Sequence, residues 1–222
     1  MAAAAGEEPA SARLKISEIF FSIQGEGRFS GLPTVFIRLT GCPLRCQYCD
    51  TAYAFTGGEW RTLPEILENT TSYSTPYVCV TGGEPLAQSR CLTLLSELCD
   101  ADYHVSLETS GAIDIAAVDR RVSRVLDIKT PGSAEFERNL WTNLDDLTEA
   151  DTVKLVICDR NDYEWARSEL GNRLQVPCPV FFSPSYEQLE ANTLADWILE
   201  DQLPVRLQLQ MHKLLWGDVP GR

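Results

Sequence analysis

Cys42, Cys46 and Cys49 fall within one short run, Gly41-Cys42-Pro43-Leu44-Arg45-Cys46-Gln47-Tyr48-Cys49-Asp50-Thr51. The C-x3-C-x2-C spacing sends three thiolates from a single loop to one side of a metal centre and leaves a fourth position open. A closed structural zinc site is held by four ligands, and a [4Fe–4S] cluster ordinarily takes four cysteines. No fourth ligand is evident near the loop. The pattern therefore points to a cluster whose last iron is kept for another molecule.

Other residues carry chemistry of their own. In Thr81-Gly82-Gly83-Glu84-Pro85 the glycines allow a backbone to come close to a ligand, and Pro85 suits the first turn of a helix. Such a loop could hold a carboxylate on its N–H groups or an amine on a carbonyl; taken alone it is equally an ordinary strand-to-helix turn. Ile23-Gln24-Gly25-Glu26-Gly27 follows the aromatic pair Phe20-Phe21 and reads as an ordered loop over a ligand or as a plain turn. Arg38 stands in an apolar run, where a buried cation needs a partner, so it meets an internal carboxylate or an anionic ligand. Lys129 ends a strand in the same way. The Thr51 hydroxyl caps the following turn or offers oxygen to Mg²⁺, a cation that prefers such donors. His104 reads as structural, and His212 is open on sequence alone.

These residues need elements to position them. Apolar β-branched runs predict strands over 34–39, 77–80, 105–108, 125–128, 153–157, 180–182 and 205–210. Between them lie helical patterns: one opening at Thr62 with Glu65 three later, a capping-box arrangement, and others over 85–100, 113–121, 144–150, 162–170 and 189–199. Repeated strand–helix units build a parallel sheet wound right-handed. About seven strands are too few for a complete eightfold barrel, so the expected fold is an α/β, open or partial β/α barrel with a mostly parallel sheet. In such folds functional residues gather at the C-terminal edge of the strands. The cysteine loop, Thr81–Pro85, Glu108–Gly111, Asp127–Gly132 and the turn after 182 all fall at that edge, which predicts one site assembled from many loops.

The bulk numbers set bounds. At 222 residues the chain suits one domain rather than two, expected over 14–222 after a disordered leader at 1–13. The leader lacks the basic start and apolar core of a secretory signal. No apolar run approaches the roughly 20 residues of a membrane span, and a net charge of −13 argues against a broad nucleic-acid-binding face. A cytoplasmic protein is expected, and the acidic balance leaves room for an anionic small-molecule substrate in a pocket that concentrates a few Arg and Lys. Of the eight cysteines, Cys79, Cys91, Cys99, Cys158 and Cys178 read as small buried hydrophobes.

The cysteine motif resembles that of the radical S-adenosylmethionine (SAM) superfamily, and Thr81–Pro85 resembles its glycine-rich SAM loop. Ile23–Gly27, Phe36-Ile37-Arg38-Leu39, Cys49-Asp50-Thr51, Glu108–Gly111 and Gln210-x-His212-Lys213 together resemble the 7-carboxy-7-deazaguanine synthase family, over about 16–216. The resemblance implies that a reduced cluster and SAM generate a radical that takes hydrogen from C6 of 6-carboxy-5,6,7,8-tetrahydropterin. Ring contraction and loss of ammonia then give 7-carboxy-7-deazaguanine, a precursor of queuosine-type bases, and SAM is regenerated. It implies that Cys42, Cys46 and Cys49 hold the [4Fe–4S] cluster. Tyr48, Asp50, Gly83, Glu84, Ser110 and Lys129 would contact SAM; Ile23, Gln24, Gly25, Arg38 and Thr81 the substrate; Thr51 would bind Mg²⁺. A homodimer and an external donor of flavodoxin or ferredoxin type are implied as well. The chain departs from the family where Asp127-Ile128-Lys129 replaces a Ser-Pro-Lys run, and in continuing through Leu215-Trp216-Gly217 to Arg222.

Two other readings compete. Another radical SAM enzyme, such as a glycyl-radical activase, shares the cluster motif but needs a docking surface for a protein substrate. A non-catalytic zinc or iron–sulfur protein predicts a fourth ligand and no glycine loop.

Overall fold

The computed structural model describes residues 13–217, 219 and 221. Nine strands form one sheet among these residues: β1 (Arg13–Ile23), β2 (Pro33–Leu39), β3 (Glu59–Thr62), β4 (Tyr77–Gly82), β5 (His104–Thr109), β6 (Ser123–Ile128), β7 (Thr152–Ile157), β8 (Val180–Pro184) and β9 (Arg206–Leu207). Their order is β3-β1-β2-β4-β5-β6-β7-β8-β9. Every pairing from β2 through β9 is parallel, whereas β1 runs antiparallel to both β2 and β3. The sheet does not close on itself, so the open, partial barrel expected from the strand count is what the chain forms.

The strand period of two divides the residues between two environments. Val35, Ile37 and Leu39, Val78 and Val80, Val105 and Leu107, Leu126 and Ile128, and Val153, Leu155 and Ile157 all enter the main core. There they meet Leu94, Leu95 and Leu98 of α2 (Cys91–Asp100), Tyr163 and Ala166 of α3 (Arg160–Asn172) and Leu194 of α4 (Ala191–Glu200). The alternate positions Phe36, Arg38, Thr81, Glu108, Val125, Asp127, Lys154 and Val156 line a cavity on the opposite, concave face. The helix-covered face is thus the stabilising one, and the concave face is free to carry polar residues.

The capping box at Thr62 is present: Thr62 N–H donates to Glu65 Oε2 at 2.7 Å, and Glu65 N–H donates to Thr62 Oγ1 at 3.4 Å, opening α1 (Leu63–Thr71). Several expectations need correction. β1 had been no part of the strand pattern, and Arg13, assigned to the leader, is its first residue, paired with Thr62; the rest of that leader lies outside the described residues. The helix expected over 85–100 is a 3-10 turn at Pro85–Ala87 followed by α2. No helix forms over 113–121, where Asp114 and Asp119 carboxylates accept the N–H groups of Ala116 and Arg121 and divert the backbone into turns. The helix over 144–150 is instead a 3-10 segment, Trp141–Asp146. The strand expected over 205–210 shrinks to β9 and gives way to a short helix, α5 (Met211–Trp216).

Candidate active site

The loops after the parallel strands and the concave strand positions enclose one cavity of ≈ 220 Å³, counted as space open to water centres. Cys42, Cys46, Cys49, Tyr48, Asp50, Thr51, Gly83, Ser110, Lys129, Ile23, Gln24, Arg38 and Thr81 all line it. Thirteen of the fifteen residues named from the sequence therefore share one space.

The cysteine loop leaves β2 and is locked in place by its own backbone. Gly41 N–H donates to Ala54 O at 2.8 Å, and Gly41 O accepts Glu84 N–H at 2.9 Å. Arg45 donates to Cys42 O and Leu44 O at 2.8 and 2.6 Å and covers the Phe55 ring at 4.2 Å. Leu44 N–H points at Cys42 Sγ, 3.4 Å away. All three thiols are half-buried and free. Burial pushes them up, Cys46 to about 11, while Lys129 opposes the shift. Only coordination by a metal would ionise such thiols at neutral pH. Among the described residues no three His, Cys, Asp or Glu side chains close on a point as ligands of a single ion do. Three soft sulfur donors on one cavity wall, with an N–H on one sulfur and the Lys129 ammonium acting on all three, fit a cluster in which each binds a different iron.

Gly83 explains why this loop can approach the cysteines. A Cβ there would meet Gly41 O at 2.5 Å and Cys42 Cβ at 2.6 Å, so no other residue fits without moving the cluster loop. Beside this cradle, two buried polar atoms on the cavity wall have no hydrogen-bond partner among the described residues: Tyr48 OH and Asp127 Oδ1. Buried polar groups are nearly always paired. A donor and an acceptor left unmatched next to the three thiols fit a polar, multifunctional ligand such as SAM.

Glu84 does not line the cavity. It is 0% exposed, and its carboxylate accepts Ser110 N–H at 2.7 Å, Ser110 Oγ at 2.5 Å, Thr109 Oγ1 at 3.0 Å and Leu86 N–H at 3.0 Å. Its side chain clamps the β5 loop to the glycine loop. Gly25 also sits outside the cavity lining, because the C-terminal segment covers it: a Cβ on Gly25 would meet His212 Nδ1, and Gly25 O accepts Met211 N–H at 3.2 Å. His212 itself reaches the cavity. His104 opens β5 and lies against the Tyr77 ring. Of the five remaining cysteines, Cys158 is not buried as expected; it is half-buried, with Gln47 Nε2 3.6 Å from its sulfur.

The charges are arranged in pairs. Arg38 Nε donates to Glu18 Oε1 at 2.7 Å, which supplies the internal carboxylate, and the residue also lines the cavity. Thr81 Oγ1 donates to Glu108 Oε2 at 2.9 Å. Lys129 Nζ lies 3.2 Å from Asp127 Oδ2, and Lys213 Nζ lies 2.9 Å from Asp50 Oδ2. Burial opposes the charge on Asp50, yet Lys213 and the Thr51 hydroxyl (2.7 Å from Asp50 Oδ1) hold its carboxyl well below the usual range. Burial likewise opposes the charge on Lys129, and Asp127 with the thiols keeps it above an ordinary lysine. The pair Glu26–Lys154 carried no assignment from the sequence. Its visible sign was a lysine within the apolar strand run Thr152–Ile157, the same signal that marked Arg38.

Comparison with known proteins bears on the family and the fold. Residues 36–128 match the Radical SAM superfamily. The chain is 46% identical over 210 residues to the 7-carboxy-7-deazaguanine synthase of Chlorobaculum tepidum, covering 93% of this chain and 96% of the relative. It is 40% identical to the enzyme of that name from Koribacter versatilis, covering 91% and 97%. Its fold superposes on the crystal structure of QueE from Escherichia coli with a TM-score of 0.74, at 23% identity and covering 90% of this chain and 95% of that one. The chain belongs to the 7-carboxy-7-deazaguanine synthase family of the radical SAM superfamily.

Proposed function

We propose that the concave cavity is where this radical SAM enzyme converts 6-carboxy-5,6,7,8-tetrahydropterin to 7-carboxy-7-deazaguanine and ammonia. The observation that carries the reading is the convergence of the three free thiols, the Gly83 cradle, and the Arg38 and Thr81 wall on one space. Cys42, Cys46 and Cys49 would hold the [4Fe–4S] cluster. Tyr48, Asp50, Gly83, Ser110 and Lys129 would contact SAM, with Glu84 acting through Ser110 and Gly25 through the C-terminal segment it supports. When bound, the cluster and SAM supply the one-electron chemistry that removes a hydrogen atom from the pterin. The chain's own residues orient the substrate and exclude water. Arg38, held by Glu18 yet facing the cavity, offers a fixed cation to the substrate carboxylate, while Ile23, Gln24 and Thr81 flank it.

Thr51 is assigned to Mg²⁺. Its hydroxyl lines the cavity and donates to Asp50, leaving oxygen lone pairs free for a hard cation. Thr51→Ala is expected to weaken the response of activity to added Mg²⁺; an unchanged Mg²⁺ titration removes Thr51 from the ligand set. An external flavodoxin- or ferredoxin-type donor and a homodimer follow from the resemblance. No described helix is long and apolar enough to cross a membrane, and the eight free thiols suit the reducing cytoplasm.

The deciding experiment is an anaerobic assay of the iron–sulfur-reconstituted protein with dithionite, SAM, Mg²⁺ and the pterin, read by mass spectrometry. Product formed without matching loss of SAM is the expected result. SAM cleavage without product would overturn the substrate assignment.

A further inference from the structure

We propose that Lys154 is a positioning residue for the substrate: its ammonium anchors the Glu26 carboxylate, and with it the turn 23–26, to the concave face of the sheet. The proposal rests on the reading of the cavity given above, which assigns Lys154 no part.

Lys154 lies in mid-strand on β7, between Val153 and Leu155, both 0% exposed in the core. The strand alternation turns its side chain to the cavity, opposite Asp127 on β6 in register. Its Nζ is 2.5 Å from Glu26 Oε2 and 3.5 Å from Asp127 Oδ2. The two carboxylates do not depend on it equally. Asp127 has a second cation, Lys129, at 3.2 Å. Glu26, 7% exposed, also accepts the amide N–H of Gln210 at 2.8 Å, a neutral donor rather than a second cation. Lys154 therefore decides the state of Glu26 more than that of Asp127.

Glu26 in turn governs the turn before it. Its N–H donates to Gln24 Oε1 at 3.2 Å, and Gln24 is pinned on its other side by Leu32 O and Gly31 N–H. The Glu26 side chain ties this turn to β7 on the concave face, and Ile23, Gln24 and Glu26 all line the cavity. Removing one partner of a buried ion pair leaves an uncompensated charge, which the turn relieves by moving or by taking up a proton. The charges facing this spot are Lys154 from β7, Asp127 from β6, Lys129 just after it, Glu108 from β5, Asp50 from the cysteine loop and His212 from α5. Burial alone would raise the Glu26 pKa; Lys154 reverses this and holds it below the ordinary value.

The test uses the full chain with its reconstituted cluster, comparing wild type, Lys154→Met, Glu26→Gln and the double variant. Pterin affinity is measured anaerobically by calorimetry, kcat and KM across pH, and SAM affinity and iron content as controls. Lys154→Met is expected to keep iron and SAM affinity and to weaken pterin binding and raise KM by roughly tenfold or more, with kcat changed less. Its kcat/KM should fall on the acid side at a higher pH than that of wild type does, because Glu26 without its cation takes up a proton more readily. Glu26→Gln should share the KM increase without the shifted acid limb, and the double variant should be no worse than Lys154→Met. Wild-type pterin affinity in either single variant, additive losses in the double, or an equal loss of SAM affinity would overturn the proposal. If Lys154→Met does not fold, Glu26→Gln decides alone. A wild type that binds pterin but makes no 7-carboxy-7-deazaguanine sinks the functional reading, while the affinity comparison still judges Lys154.

Discussion

Glu84→Gln separates two roles for the acidic residue of the glycine loop. One carboxylate oxygen accepts Leu86 N–H and the other accepts Ser110 N–H and Oγ, with Thr109 Oγ1 shared between them. A glutamine amide has only one acceptor oxygen. Whichever way it turns, its NH₂ faces a backbone N–H, and one buried donor loses its acceptor at a cost of about 1–3 kcal/mol. The bonds that survive lose their charge assistance, which roughly halves them. A total near 3 kcal/mol corresponds to a fall in Tm of roughly 6–12 °C for a chain of this length. Because Ser110 is placed by Glu84, SAM affinity should fall together with Tm. The assay is thermal unfolding by circular dichroism beside equilibrium dialysis of SAM against the reconstituted protein. A variant that melts like wild type but binds SAM poorly would mean that Glu84 touches the ligand directly, and the clamp assignment would be wrong.

Three further outcomes are expected. Cys46→Ala should lose the cluster on reconstitution, read as iron content and visible absorption; an intact cluster spectrum would refute the ligand assignment. Gly83→Ala should abolish SAM binding, since the new methyl would press on Gly41 O and Cys42 Cβ, and wild-type affinity by dialysis would show that the cluster loop yields. Asp151 and Arg124 form a buried pair at 2.7 Å, and neither lines the cavity. Burial opposes the Asp151 charge, but Arg124 and the Thr148 N–H bring its pKa below the ordinary value. A depressed carboxyl stabilises the fold above its unfolded pKa of about 3.9 and loses that contribution as pH falls through the folded pKa. Asp151→Asn should therefore cost about 3–5 kcal/mol at neutral pH and make acid unfolding shallower; an equally steep acid limb in urea melts at successive pH values would contradict the assignment.

How much of this site the sequence revealed depends on whether the signal was local. The strand ends were readable because apolar β-branched runs stop abruptly at Cys42, Thr81, Glu108 and Asp127, and parallel α/β topology places such ends on one edge. Segments governed by side-chain-to-backbone bonds were not. The stretch 113–121, with Ala116-Ala117 at its centre, reads as a short helix, but Asp114, Asp119 and the Asn143 amide, which bonds Gly111 O, Ile113 O and Ile115 N–H, take over its backbone. β1 was hidden because a register shift between Ile16 and Glu18 breaks its alternation. The Glu84 clamp was equally hidden, since a carboxylate turned toward Ser110 and one turned toward a ligand have the same sequence. What did transfer is a rule about parity. Where strands are covered by helices on one side only, a charged residue out of phase with the apolar positions must project to the open face. Arg38, Asp127 and Lys154 all obey it. Their partners Glu18, Lys129 and Glu26 come from β1, the end of β6 and a loop, and only the fold brings those three places together. A cavity-facing cation can thus be found from strand phase alone, but whether it serves the protein or the ligand is decided by the distance to its nearest carboxylate.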